Sequence, residues 1–135
     1  MKILLDTHVI IWALTDDPKL SAKARELITD KDNIVYFSLA SIWEIAVKNR
    51  KAPEKCPYNE KDIAELCVRS GFLELGMDLP SITGLRELRV KEGRELSNFD
   101  PFDRMLLSQA KCNDMVLFSH DVNFSNYDES CIFAM

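Results

Sequence analysis

Five acidic residues of the chain stand where a carboxylate can serve either as a helix cap or as a ligand: Asp6, Glu44, Asp100, Asp103 and Asp121. Asp6 directly follows the apolar run Ile3-Leu4-Leu5, which places it at the carboxyl end of a buried strand. Asp121 follows Val-Leu-Phe-Ser-His and falls just past the end of a later strand. In open α/β sheets, ligands bind outside the carboxyl ends of strands, so two acids arriving at that edge from distant positions are a joint signal. Each has a plainer reading, Asp6 as a turn or cap acid and Asp121 as a turn residue. Glu44 lies among Ile42, Trp43, Ile45, Ala46 and Val47, all of which favour burial. It fits a capping box with Ser41, an i,i+4 ion pair with Lys48, or a site. Asp100-Pro101-Phe102-Asp103 is strong helix-start chemistry, with Asp100 as cap and Asp103 in the first turn.

Carboxylates gathered in one place repel one another and raise each other's pKa. A hard divalent cation offsets that cost. Mg²⁺ takes a few carboxylate oxygens and keeps several waters, and an all-carboxylate set points to Mg²⁺ or Mn²⁺ over Zn²⁺. The net charge is −5, from 17 Lys and Arg against 22 Asp and Glu. Taking the five named acids out of the count brings it to zero, so the acidity of the chain is no larger than this one pocket. Such a balance argues against a passive duplex-DNA coat, which needs a basic face. A nuclease remains open, because bound metal offsets an acidic pocket.

These acids need a frame. The 135 residues, 47% of them hydrophobic, suit one domain spanning 1–135 with a single core. Strands are expected at Ile3–Leu5, Asn33–Phe37, Phe72–Leu75, Met115–Phe118 and Ile132–Ala134. Helices are expected from Thr7, as cap, to Leu14, then over Ser21–Ile28, Ser38–Arg50, Asn59–Ser70, Ser81–Lys91 and Asp100–Lys111. In the Asn59–Ser70 helix, Ile63, Leu66 and Cys67 form the apolar stripe. Alternating strands and helices, with strands apolar throughout, predict an α/β fold: a central parallel sheet covered on both faces in three α/β/α layers. The four cysteines, at 56, 67, 112 and 131, have no metal-ligand spacing and read as reduced, partly buried thiols. Asp6 and His8 interrupt the apolar N-terminus, and no run is long enough for a membrane span. The expectation is a soluble, cytoplasmic domain.

Taken in order, LLDTHVIIWAL, SLASIWEIAVK, DPFDRMLLSQA and VLFSHD resemble the PIN-domain ribonucleases, and most closely the VapC-type toxins of bacterial toxin–antitoxin pairs. The likeness runs from Lys2 to about Tyr127. It implies an α/β/α PIN-like fold, an acidic metal site, homodimerisation and a cognate antitoxin whose C-terminal segment wraps the toxin. By this resemblance Asp6, Glu44, Asp103 and Asp121 are the catalytic, metal-holding acids. Asp100 belongs to a D-P-F-D form, as accessory ligand or cap, and Thr7 and Ser119 match supporting hydroxyls. The residues Ser97-Asn98-Phe99 stand where that subgroup often carries a basic residue or His.

The reaction implied is metal-dependent hydrolysis of an RNA phosphodiester, leaving a 5′-phosphate and a 3′-hydroxyl, with no protein nucleophile. His8, core-facing or supporting an acid, is not a general base. Lys48, Arg50, Lys51 and Arg104 are candidates for the RNA backbone, or else solvated residues at a helix end. Trp12 and Trp43 read as core or dimer interface. Three other classes stand beside this one. An aspartyl-phosphate hydrolase would want D-x-D where this chain has D-T-H. A DNA-directed nuclease would use the same acids, since no 2′-hydroxyl reader is visible. A degenerate binding module would have lost an acid, and all four are present.

Overall fold

Ile3, Leu4 and Leu5 are all fully buried, so the first strand has no solvent face, as a central strand of a parallel sheet requires. It is β1 (Lys2–Leu5) of a computed structural model that describes residues 1–95 and 99–135. Ser97 and Asn98 therefore lie outside the described residues. The other strands are β2 (Ile34–Ser38), β3 (Leu73–Leu75), β4 (Val116–Ser119) and β5 (Ile132–Ala134). All pair in parallel in the order β3-β2-β1-β4-β5. Leu5 sits in register with Phe37 on one side and Phe118 on the other. The strand order runs outwards in opposite directions from β1 and β4, and the gap between them is the switch point of the sheet.

Among the described residues six α-helices accompany the strands: α1 (Thr7–Thr15), α2 (Ala22–Thr29), α3 (Leu39–Lys51), α4 (Glu60–Arg69), α5 (Leu79–Thr83) and α6 (Pro101–Cys112). Strand alternation sorts the core into two layers. Ile3, Leu5, Val35, Phe37 and Phe118 pack with Val9, Ile10, Ala24, Ile28, Ile63 and Cys67 from α1, α2 and α4. On the other face Leu4 and Leu117 pack with Leu106, Leu107 and Ala110 of α6. Burying each such Leu contributes about 1.5–3 kcal/mol. The three-layer α/β architecture with a parallel sheet is thus as expected.

Local chemistry explains where elements begin. Ser21, Ser38, Asn59 and Asp100 each accept a hydrogen bond from a first-turn amide of the helix that follows. Three expectations need correction. The cap of α1 is Asp6, not Thr7, because Asp6 accepts from the Thr7 N–H and frees the Thr7 hydroxyl. Leu66 is exposed, and the stripe of α4 is Ile63 and Cys67 alone, one helical turn apart. The segment 81–91 is not one helix. Asp78 caps α5 three residues earlier, a 3₁₀ turn at Gly84–Glu87 follows, and Val90 bridges to Tyr127. A β-carbon at Gly84 would lie 3.0 Å from Ser108 Oγ and from Cys112 Sγ, so α6 approaches too closely for a larger residue.

Candidate active site

Adjacent strands deliver the first group. The Asp6 amide donates to the Phe118 carbonyl at 3.0 Å, extending the β1–β4 ladder by one residue. This brings Ser119 beside Asp6, and its hydroxyl donates to Asp6 Oδ2 at 2.7 Å. The same Ser119 oxygen accepts from the Asp121 N–H at 3.0 Å. Asp6 Oδ1 accepts from the Thr7 N–H at 2.6 Å. Ser119 is therefore the hinge pin between the two strand-end acids.

Thr7 ties in the second group. Its hydroxyl donates to Glu44 Oε1 at 2.6 Å and stands 3.0 Å from Ser41 Oγ. The other Glu44 oxygen takes the Lys48 ammonium one turn along α3. The ion-pair reading of Glu44 thus holds, whereas the capping box does not: Ser38 is the cap of α3. Burial along α3 follows hydropathy at Ile45 but departs from it at three neighbours. Glu44 is buried, while Trp43 is 57% exposed and Val47 is exposed. Hydrophobicity alone cannot foresee this, because the inward face of α3 is the one that meets Thr7.

The third group comes from the start of α6. Asp100 Oδ1 accepts from the Phe102 and Asp103 amides at 2.9 and 3.0 Å, which confirms its capping role. Asp103 is turned inward and buried. Burial pushes its carboxyl up to about 8, reinforced by the negative charges of Asp6, Asp100, Asp121 and Glu44. Among the described residues no donor relieves it. Burial also raises Asp6, against the opposing pull of the Ser119 and Thr7 hydrogen bonds and of His8. Burial lowers Lys48, but Glu44, Asp100 and Asp103 outweigh it and hold the ammonium charged.

Asp103 thus feels the charges of Asp6, Glu44, Asp100 and Asp121, and Asp6 feels that of Glu44. Among the described residues no group of three or more His, Cys, Asp or Glu side chains is arranged to hold a metal ion. The donor set nonetheless suits Mg²⁺ or Mn²⁺: it is all carboxylate, and Asp103 is an inward, unrelieved acid of the kind a cation would satisfy. Mg²⁺ needs only one or two direct carboxylates, with its waters reaching the rest.

The remaining candidates separate. Lys48 and Lys51 line a cavity that begins at Thr7. Arg50 faces a different groove beside Trp43, lined by none of the acids. Arg104 lies by Tyr127, and among the described residues its buried Nε and the Tyr127 hydroxyl have no partners. His8 is exposed, not core-facing, and Trp43 is not core. Cys112 is exposed too, and all four thiols are free. Sequence reading missed Ser41 as the second hydroxyl beside Thr7, since the residues are 34 positions apart and only the packing of α1 on α3 joins them. None of the described helices is long and apolar enough to cross a membrane.

Comparison with known proteins bears on this arrangement. The chain resembles the VapBC complex of Salmonella typhimurium solved with DNA, at a TM-score of 0.69 and 19% identity, covering 99% of this chain and 98% of that one. VapBC2 from Rickettsia felis, bound to a promoter fragment, matches at a TM-score of 0.70 and 15% identity, covering 99% and 98%. VapC20 of Mycobacterium tuberculosis, a sarcin–ricin loop cleaving toxin, matches at a TM-score of 0.54 and 15% identity, covering 91% and 92%. Curated protein sequences give no significant match. The family model for the PIN domain matches residues 3–130, nearly the whole length, and the chain belongs to the PIN-domain family.

Proposed function

We propose that this chain is a single PIN domain acting as a Mg²⁺- or Mn²⁺-dependent ribonuclease, the toxin of a toxin–antitoxin pair. The observation that carries the reading is the inward Asp103, raised to about 8 by burial and by four other acids at the sheet's switch point. A structural role for Asp103 would be served by a neutral residue; a cation-holding role needs the charge. Asp6, Glu44, Asp103 and Asp121 would hold the ion, with Asp100 as accessory through the oxygen its cap leaves free. Bound there, a divalent cation would lower the pKa of water and offset charge developing on phosphoryl oxygens.

The rest of the chemistry belongs to the chain. Ser119 orients Asp6 and is held by the Asp121 amide. Thr7 fixes Glu44, and Lys48 balances its charge. Lys48 and Lys51 supply phosphate contacts at the edge of the acids. The likeness to VapBC complexes supports a cognate antitoxin as partner, and homodimerisation and a cytoplasmic site of action go with the same reading. The mycobacterial neighbour cleaves an RNA loop, which favours RNA over DNA as substrate.

Purified protein is incubated with a mixed RNA pool in Mg²⁺, Mn²⁺ or EDTA, beside Asp6→Asn. Cutting that needs metal and vanishes in the variant is expected. Equal cutting by the variant, or cutting in EDTA, sinks the reading.

A further inference from the structure

Next to the acids lies a cavity of about 700 Å³, of which the phosphodiesterase reading uses only the edge at Lys48 and Lys51. Its walls are α1, the turn before α2, the end of α3 and the loop 52–58. The size is that of pockets enclosing ligands of nucleotide dimensions, ~300–1,000 Å³. Three lysines from three segments, Lys19, Lys51 and Lys55, point charge into it, and none has an ion-pair partner among the described residues. Among the described residues Asp17 is the one acid in the lining. A positive groove on a chain of net charge −5 is a local departure that solubility does not require.

The groove also has aromatic walls. Trp12 and Tyr58 line it, on α1 and on the loop before α4. Trp12 stands edge-on to His120 at 5.3 Å, is tilted against His8 at 6.1 Å, and has the Lys19 ammonium 6.0 Å from its ring centroid. The groove is continuous with the acids at two points. Thr7, which donates to Glu44, forms part of its wall. His120, the ring partner of Trp12, precedes Asp121 in the chain.

We infer that this groove holds the single-stranded flank of the RNA substrate, with Lys19, Lys51 and Lys55 on phosphates and a base against Trp12 or Tyr58. The inference rests on the ribonuclease reading for the identity of the polymer. A charged groove with aromatic platforms is how proteins bind single strands without sequence readout, at about 1–3 kcal/mol per stacked base. A duplex buries its base faces, so aromatic walls select unpaired nucleotides.

The test uses the Trp43→Phe protein, in which Trp12 is the sole tryptophan, titrated in EDTA with a mixed-sequence 12-nucleotide RNA. Trp12 fluorescence should change on binding, and the same RNA annealed into a duplex should produce little change. Lys19→Ala with Lys55→Ala should reduce the slope of log affinity against log salt by about 1.4, at about 0.7 for each single-strand phosphate no longer neutralised. In Mg²⁺ the double variant should raise KM for cleavage and leave kcat unchanged. An unchanged salt slope and KM overturn the inference while leaving the nuclease reading intact. RNA bound in the groove but never cut removes the nuclease reading and keeps the groove. A Trp12 response to polyglutamate with none to RNA makes the groove a peptide-docking site and overturns the inference.

Discussion

Replacing Asp103 by Asn separates the two demands on this site, because the same carboxylate is costly to the fold and necessary to the chemistry. Asp103 has a folded pKa of about 8 against an ordinary value of 3.8. The folded protein therefore keeps a proton that the unfolded chain loses, and stability falls as pH rises from about 4 to about 8. At 1.36 kcal/mol per pH unit, full realisation of that gap would cost on the order of 6 kcal/mol. Water at the rim and the nearby Lys48 charge relieve part of it, leaving a net cost of about 2–3 kcal/mol at pH 8. Asn keeps the shape and removes the charge. Asp103→Asn should thus be more stable than the parent by about 2–3 kcal/mol at pH 8 in EDTA. For a chain of this length, that is a rise in Tm of about 7–10 °C. The gain should shrink as pH falls towards about 4 and vanish only at about pH 3, where the parent carboxyl is protonated folded and unfolded alike. Mg²⁺ should stabilise the parent by mass action and not the variant. Urea and thermal unfolding from about pH 3 to 8.5, with and without Mg²⁺, measure all of this. RNA cleavage should be lost throughout. A variant less stable at pH 8 than the parent, with no difference in the response to Mg²⁺, would refute the crowded-carboxylate reasoning.

Other expectations follow from single interactions. Thr7→Val should cost about 1–3 kcal/mol in urea unfolding, because buried Glu44 loses its hydroxyl donor, while Thr7→Ser should cost less. Ser38→Ala should cost about 2 kcal/mol, since the same hydroxyl caps α3 and donates to Gln109 Oε1 at 2.6 Å. Leu117→Ala, on a strand buried from both faces, should cost about 3–5 kcal/mol, and a loss under 1 kcal/mol would contradict the packing described. Burial raises Glu129, but the Lys111 and Arg89 hydrogen bonds outweigh it and hold its pKa below 4.5. Its stabilisation is present above that value and lost as pH falls through the folded pKa, so Glu129→Gln should lower Tm at pH 7 and converge with the parent once the pH is below the folded pKa.

Much of this protein is legible one residue at a time. Ile3-Leu4-Leu5 announces a strand buried on both faces, because no polar residue interrupts it. Ser21, Ser38, Asn59 and Asp100 announce helix starts, because a short polar side chain can reach the first-turn amides. The order of four acid-bearing segments carried the family resemblance, and the placement of Asp6 and Asp121 after strands pointed to one sheet edge. Those are local or periodic signals, and local physics suffices to read them.

Contacts between segments were beyond such reading. Glu44 and Ser41 reach Thr7 only because α3 turns them inward on α1 together with Ile45, leaving Trp43 and Val47 exposed. Gly84 has no room for a side chain because α6 passes behind it, not because of its neighbours in sequence. Lys19, Lys51 and Lys55 are scattered charges until three separate segments close around Trp12 and Tyr58. Residue types and periodicity set which elements form. Which faces meet is decided by the summed packing of the whole sheet and its helices, and so is the pKa of Asp103, since the charges that raise it come from four other places in the chain.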